Sequence, residues 1–295
     1  MTKIAMGALI VVGTAAVLVV VAFLLVLYQG KRKPGGDPAY VAMGSSFAAG
    51  IGLGQRAPGS PIACMRTIGS YPQQISRSLN LPIMDVTCSA ATTDHILRGG
   101  QYFQRAQINA LKPETKLVTV TTGGNDIRYV GDLSFIAARN TASVSGWLMK
   151  RFWGGPLRAD QRDYAAVRRD LVSVAREVSR RSPKALLIFV TYPTILPASG
   201  RCPLLNITQD EADMMRFVGE QLAGATRAAA RQSGAVLVDM QKLGADHHAC
   251  SQEPWVNGWR NAQGAQFHPT RLGTRATADA VVQAIRSHAP NLLSK

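Results

Sequence analysis

The chain has 295 residues, 46% of them hydrophobic and 17% charged, and carries a formal net charge of +15. The charged fraction falls below the roughly 25% of soluble domains, and the deficit traces to one uncharged segment near the start, which excludes a purely soluble protein. Ordinary glycine, proline and apolar content excludes collagen-like, coiled-coil and disordered classes.

From Ile4 to Tyr28 no residue is charged and Thr14 is almost the only polar one. About 25 helical residues at ~1.5 Å each cross a ~30 Å hydrocarbon layer. A cleaved secretory signal has an apolar core of only ~7–15 residues before a small-x-small site. Here the run is longer and ends in Phe23, Leu24, Leu25, Val26, Leu27 and Tyr28. Residues 1–30 therefore read as a transmembrane signal-anchor, with Tyr28 at the interface. Lys31, Arg32 and Lys33 favour a cytoplasmic carboxyl side. All four cysteines, Cys64, Cys88, Cys202 and Cys250, follow the apolar segment, an even number suited to disulfides in an oxidising compartment. Long domains translocate with little regard to flanking charge, so the expectation is a single-pass protein with an extracytoplasmic domain. Residues 31–38, with Pro34-Gly35-Gly36-Asp37-Pro38, read as a linker.

Strand and helix patterns then alternate. Tyr40-Val41-Ala42-Met43, Ile83 to Thr87, Lys116 to Thr122, Ala185 to Val190 and Ala235 to Met240 are short apolar runs of the kind found in parallel sheets covered on both faces. Val167, Leu171, Val174 and Val178 recur at helical spacing, residues 208–233 open on a Thr208–Glu211 capping box, and Ala280, Val281, Ala284 and Ile285 give a last helix its stripe. The expected fold is a three-layer α/β/α sandwich around a five-stranded parallel sheet, spanning 39–290.

Lys3, Lys31, Arg32 and Lys33 supply four of the charges, leaving about +11 on this domain. Between Arg139 and Arg181, ten Lys/Arg face four Asp/Glu. No zinc pattern, RNP motif or basic heptad region supports nucleic-acid binding. Trp147, Leu148, Lys150, Arg151, Phe152 and Trp153 lie in the same stretch, so 139–182 reads as a basic, aromatic, lid-like insertion and helix that could also meet anionic headgroups.

Three polar residues follow strand ends or precede the last helix. Ser46 lies in Gly44-Ser45-Ser46-Phe47-Ala48-Ala49-Gly50, directly after the first strand, where open parallel sheets form their sites. A serine there is also a common helix cap. Asn125, in Gly123-Gly124-Asn125-Asp126, follows the third strand and can donate to an oxyanion. His268, in Phe267-His268-Pro269, is expected in an exposed loop with a pKa suited to general-base work.

With these residues in place, the chain resembles the SGNH (GDSL-type) serine hydrolase family from residue 40 to about 288. GSSFAAG, CSAATT, GGND and FHPTRLG occur in the family's order. The resemblance implies a flavodoxin-like sheet and carboxylic ester hydrolysis, as an esterase or lipase, through an acyl-serine intermediate. It assigns Ser46 as nucleophile and His268 as base, with the Ser46 and Ala90 N–H groups and the Asn125 amide as oxyanion donors. No cofactor or metal is implied, and the expected partners are an ester substrate, a lipid or acylated small molecule, and the membrane. Ala90 stands where the family has glycine, and Ala265 where it usually has the aspartate of a triad. The nearest branch, secreted actinobacterial-type esterases and lipases, uses a dyad, so the Ala265 carbonyl is expected to orient His268. That branch also implies the pairings Cys64–Cys88 and Cys202–Cys250. Asp246-His247-His248-Ala249-Cys250 reads as a stapled loop rather than a metal site, and Asn206-Ile207-Thr208 as a sequon of high chance frequency. A catalytically weak binding module for lipid or envelope glycan is the alternative, as is a carbohydrate O-deacetylase or acyltransferase on the same scaffold.

Overall fold

A computed structural model describes residues 2–32, 35–260 and 262–292, with side chains from residue 13 onward. Lys33 and Pro34 of the expected linker lie outside the described residues. The chain opens with helix α1 (Thr2–Lys31), whose stretch Gly13–Lys31 is long and apolar enough to cross a membrane.

Five parallel strands form one sheet: β1 (Tyr40–Gly44), β2 (Ile83–Asp85), β3 (Leu117–Thr121), β4 (Leu186–Val190) and β5 (Val236–Val238), in the order β2-β1-β3-β4-β5. The short helices α2 (Ser46–Ala49) and α4 (Thr93–Leu97) follow β1 and β2, and α3 (Tyr71–Leu79) lies between them in the chain. After β3 come α5 (Tyr129–Arg139), α6 (Val144–Phe152) and α7 (Tyr164–Arg181). Helix α8 (Gln209–Ser233) precedes β5, then α9 (Met240–Leu243) and α10 (Arg271–His288) complete the domain.

Strand side chains alternate between two cores, as a pleated sheet covered on both faces requires. Val41, Met43, Val118, Val120 and Phe189 pack with α5, α7 and α8, whereas Tyr40, Ala42, Leu117, Ile188 and Val190 pack with α3 and α10. The predicted strands thus appear, the first longer by Gly44 and the other four trimmed at their ends, and the capping box at Thr208 and Glu211 is formed. The Cys64–Cys88 and Cys202–Cys250 bonds are both present, with Cα separations of 4.2 and 5.9 Å.

The 139–182 stretch is two helices rather than one. Its α6 lies on α5, where Gly146 is pressed against the Thr141 and Ala138 carbonyls and Trp153 packs between Phe135 and the Arg139 guanidinium. The base of the insertion is clamped by Asp132, fully buried on α5, which accepts from Arg162 Nη2 at 2.8 Å and from the Leu157 N–H at 3.1 Å.

Candidate active site

The strand order itself assembles the site. With β1 between β2 and β3, the loops carrying Ser46, Ala90 and Asn125 leave three adjacent strands at their carboxyl ends. The turn into Ser46 depends on Gly44, whose φ is +139° and where a Cβ would sit 2.3 Å from the Thr121 carbonyl oxygen. A side chain at that place would push β1 and β3 apart. The Gln107 side chain accepts from the Gly44 N–H at 2.7 Å and donates to the Gly44 carbonyl at 3.1 Å, holding the peptide groups on both sides of that residue.

Ser46 is the first residue of α2, and neither it nor Ser45 caps the helix with its side chain. Ser45 Oγ instead bonds the buried Tyr192 hydroxyl at 2.8 Å. Ser46 Oγ lies 2.8 Å from His268 Nε2. The two residues are 222 positions apart in the chain, so the contact is a product of the fold alone.

His268 is half-buried, not exposed as its place before Pro269 suggests. Its ring lies 4.9 Å from the Phe47 ring, which in turn packs at 4.3 Å on Tyr192. This desolvation pulls its pKa down from 6.5 to about 4, with the hydrogen bond that Nδ1–H donates to the Gln266 carbonyl opposing the shift.

The expected orienting group, the Ala265 carbonyl, is not the one that meets the ring. Nδ1 lies 2.8 Å from the Gln266 carbonyl oxygen. The reason is local. The Ala265 carbonyl closes a turn onto the His268 N–H at 3.3 Å and accepts from Asn257 Nδ2 at 3.2 Å, so it is already committed. Phe267 takes a left-handed φ of +55°, which swings the preceding carbonyl toward the imidazole. Asn257 cinches the same turn from its other end, donating to the His268 carbonyl through both its backbone N–H and Nδ2. No carboxylate bonds either ring nitrogen among the described residues, Asp246 included.

Ala90 has a φ of +63°, the left-handed region that favours glycine. Its methyl group is tolerated at a cost of order 1–2 kcal/mol for a non-glycine residue there. Asn125 Nδ2 donates to the Ala91 carbonyl at 2.8 Å, tying the GGND segment to CSAATT. Asp126 does the same from its other side, accepting from the Thr93 N–H at 3.0 Å. Burial raises the Asp126 pKa, and the bonds from Thr93 hold it back. Gln101 Nε2 donates to the Ser89 carbonyl at 2.8 Å, next to Ala90.

Gln107, Tyr192, Asn257 and Gln101 also support the site. Tyr192 has a sequence signal, since it follows the Ala185 to Val190 run at its carboxyl end; the other three are amides that bond backbone groups 8 to 63 positions away and have none. The His247 ring stacks on Trp255 at 4.3 Å while His248 Nδ1 accepts from the Cys250 N–H, so the two histidines are engaged with separate local partners.

Serine paired with imidazole at the switch between adjacent parallel strands, beside a braced side-chain amide, describes an ester hydrolase of the SGNH type. The comparisons agree. Residues 42–276 match the GDSL-like Lipase/Acylhydrolase family, and the chain belongs to it; it is a carboxylic ester hydrolase. It is 30% identical over 259 residues to "Lipase 2" of Streptomyces coelicolor, covering 81% of this chain and 83% of that one. The fold matches the extracellular lipase from Streptomyces rimosus with a TM-score of 0.66 at 23% identity, covering 83% and 98% of the two chains. Phospholipase A1 from Streptomyces albidoflavus NA297 gives a TM-score of 0.66 at 23% identity over 84% and 99%.

Proposed function

We propose that this hydrolase is membrane-anchored, with its domain outside the cytoplasm, and that it cleaves lipid-type esters with a Ser46–His268 dyad. The observation that carries the dyad is the 2.8 Å contact between Ser46 Oγ and His268 Nε2, with Nδ1 held by a backbone carbonyl.

Ser46 Oγ attacks the ester carbonyl carbon as its proton passes to His268 Nε2. The tetrahedral oxyanion is held by the Ser46 and Ala90 N–H groups and by the Asn125 amide, whose bond to the Ala91 carbonyl fixes its plane. Collapse expels the alcohol, which takes the proton from His268. Water then attacks the acyl-serine with the same histidine as base, and collapse breaks the bond to Ser46 Oγ, which takes the proton back from His268 as the carboxylic acid leaves. The Gln266 carbonyl does two of the three tasks of a triad carboxylate, setting tautomer and ring orientation. Its partial charge stabilises the imidazolium less.

Membrane anchoring is supported by α1 and by the exposed Val144, Trp147 and Phe152 of α6 beside Lys150 and Arg151. An oxidising location is supported by two formed disulfides, with no free cysteine among the described residues. The relatives' names support a lipid ester. A panel of p-nitrophenyl esters of rising chain length, phospholipids and acetylated glycans tests this. Preference for longer acyl chains is the expected result, and turnover confined to acetylated glycans would contradict it.

A further inference from the structure

The carboxyl end of α1 is fixed to the domain at several points. Phe23 and Phe103 meet edge to face at 5.6 Å, the Gln29 side chain accepts from the Ile62 N–H at 2.9 Å, and Arg105 Nε donates to the Lys31 carbonyl at 3.1 Å. Gly30 lies so close that a Cβ there would sit 2.7 Å from the Phe103 carbonyl oxygen.

Between this helix end and the outer edge of β2 lies a cavity of about 600 Å³. Arg32, Arg56, Arg66 and Arg105 line it, with Asp85 as the only acid on its wall among the described residues. None of the four guanidiniums forms an ion pair among the described residues. Arg32 lies over the Tyr28 ring and Arg66 donates to the Thr87 carbonyl. Asp85 is occupied by Thr87 and the Gln73 amide. The excess of cations is therefore only partly compensated, and Arg66 is buried within it.

We propose that this cavity binds a phosphate group, supplied by the headgroup of an anionic membrane lipid, at a site separate from Ser46. Guanidinium forks match phosphate oxygens in geometry and charge. Burial lowers the Arg66 pKa and Asp85 only partly offsets this, a cost that a bound anion relieves. The lipid as source rests on the reading of α1 as a membrane span. In that reading Tyr28 to Arg32 lie at the headgroups, and Phe23, eight residues before Lys31, lies about 12 Å deeper at ~1.5 Å per residue. Phe103 follows it into the apolar layer, and the cavity beside Gln29 and Arg32 falls at the level of the phosphates. Because Gln101 in the same segment braces the Ser89 carbonyl, the bound lipid holds the edge carrying Ala90 against the bilayer.

The test uses the full chain, and its readout is the thermal midpoint. In detergent micelles, sn-glycerol 3-phosphate at ten times its Kd raises Tm by about 3–6 °C. Nanodiscs containing phosphatidylglycerol raise it over phosphatidylcholine alone. Both shifts disappear in Arg56→Gln/Arg105→Gln, and in large part in Arg56→Gln, at an exposed position. Hydrolysis of p-nitrophenyl butyrate in micelles stays at the wild-type level, showing the fold intact. Unchanged shifts in the variants would overturn the site. A response to glycerol phosphate without one to phosphatidylglycerol would overturn the lipid source. Carbonate extraction tests α1 separately: release of the chain with the micelle response retained would sink the lipid and leave the phosphate site standing.

Discussion

Protonation of His268 should limit activity only in strongly acid solution. The imidazole sits against Phe47 with a carbonyl rather than a carboxylate at Nδ1, and its pKa falls from 6.5 to about 4. At pH 5 a base of pKa about 4 is roughly 90% neutral, whereas one of pKa 6.5 is about 3% neutral. kcat/KM for a soluble ester should therefore stay nearly flat from pH 7 to 5 and fall through an inflection near 4. Asp126, whose pKa burial also raises, is the other candidate for such a limb; in Asp126→Asn the limb should keep its position while the rate drops. His268 also makes stability depend on pH. The unfolded chain takes up the proton near 6.5 and the folded chain only near 4, so folding loses stability as pH falls through that window. The difference corresponds to about 3 kcal/mol at ~1.36 kcal/mol per pH unit, and about 2 after discounting the exposed edge of the ring for solvent screening. Urea unfolding at pH 6.5 and 4.5 should show a steeper loss for the wild type than for His268→Gln. An acid limb at or above pH 6.5 would refute the argument from burial.

Other substitutions probe the braces around the dyad. Asn125→Ala should lower kcat by about 10²–10³, the usual consequence of losing one oxyanion donor, read in steady-state kinetics with KM little changed. Asn257→Ala removes the side-chain tie on the Ala265 and His268 carbonyls; loss of base positioning should cost about tenfold to a hundredfold in kcat, with the fold retained by circular dichroism. Ala90→Gly should raise stability by about 1 kcal/mol by relieving the left-handed alanine, seen as a Tm higher by about 2–4 °C. Asp132→Ala leaves Arg162 buried and unpaired and should cost about 3–5 kcal/mol in denaturant unfolding.

The sequence made Ser46, Asn125 and His268 visible because each sits at a point where chain order alone implies a strand end or a loop before a helix. The strands were visible for the same reason, their apolar runs being continuous. The choice between the Ala265 and Gln266 carbonyls was not visible. It turns on one backbone angle at Phe267, which is set by burial of that ring and by Asn257 eleven residues before His268. Gln107 was hidden because its partner, Gly44, lies 63 positions away, and the place of Tyr192 after a strand did not reveal its bond to Ser45, 147 positions away. His268 looked exposed because proline loops usually are; the Phe47 ring that covers it comes from the other end of the domain. The insertion's composition showed its charge, but the single buried Asp132 that clamps it is indistinguishable in sequence from a surface acid.

Intact-mass analysis of the full chain treated with a fluorophosphonate addresses the nucleophile most directly. One adduct per chain, mapped to Ser46, formed in step with loss of esterase activity and absent in Ser46→Ala, is the expected result. An adduct on another serine, or esterase activity surviving complete labelling of Ser46, would contradict it.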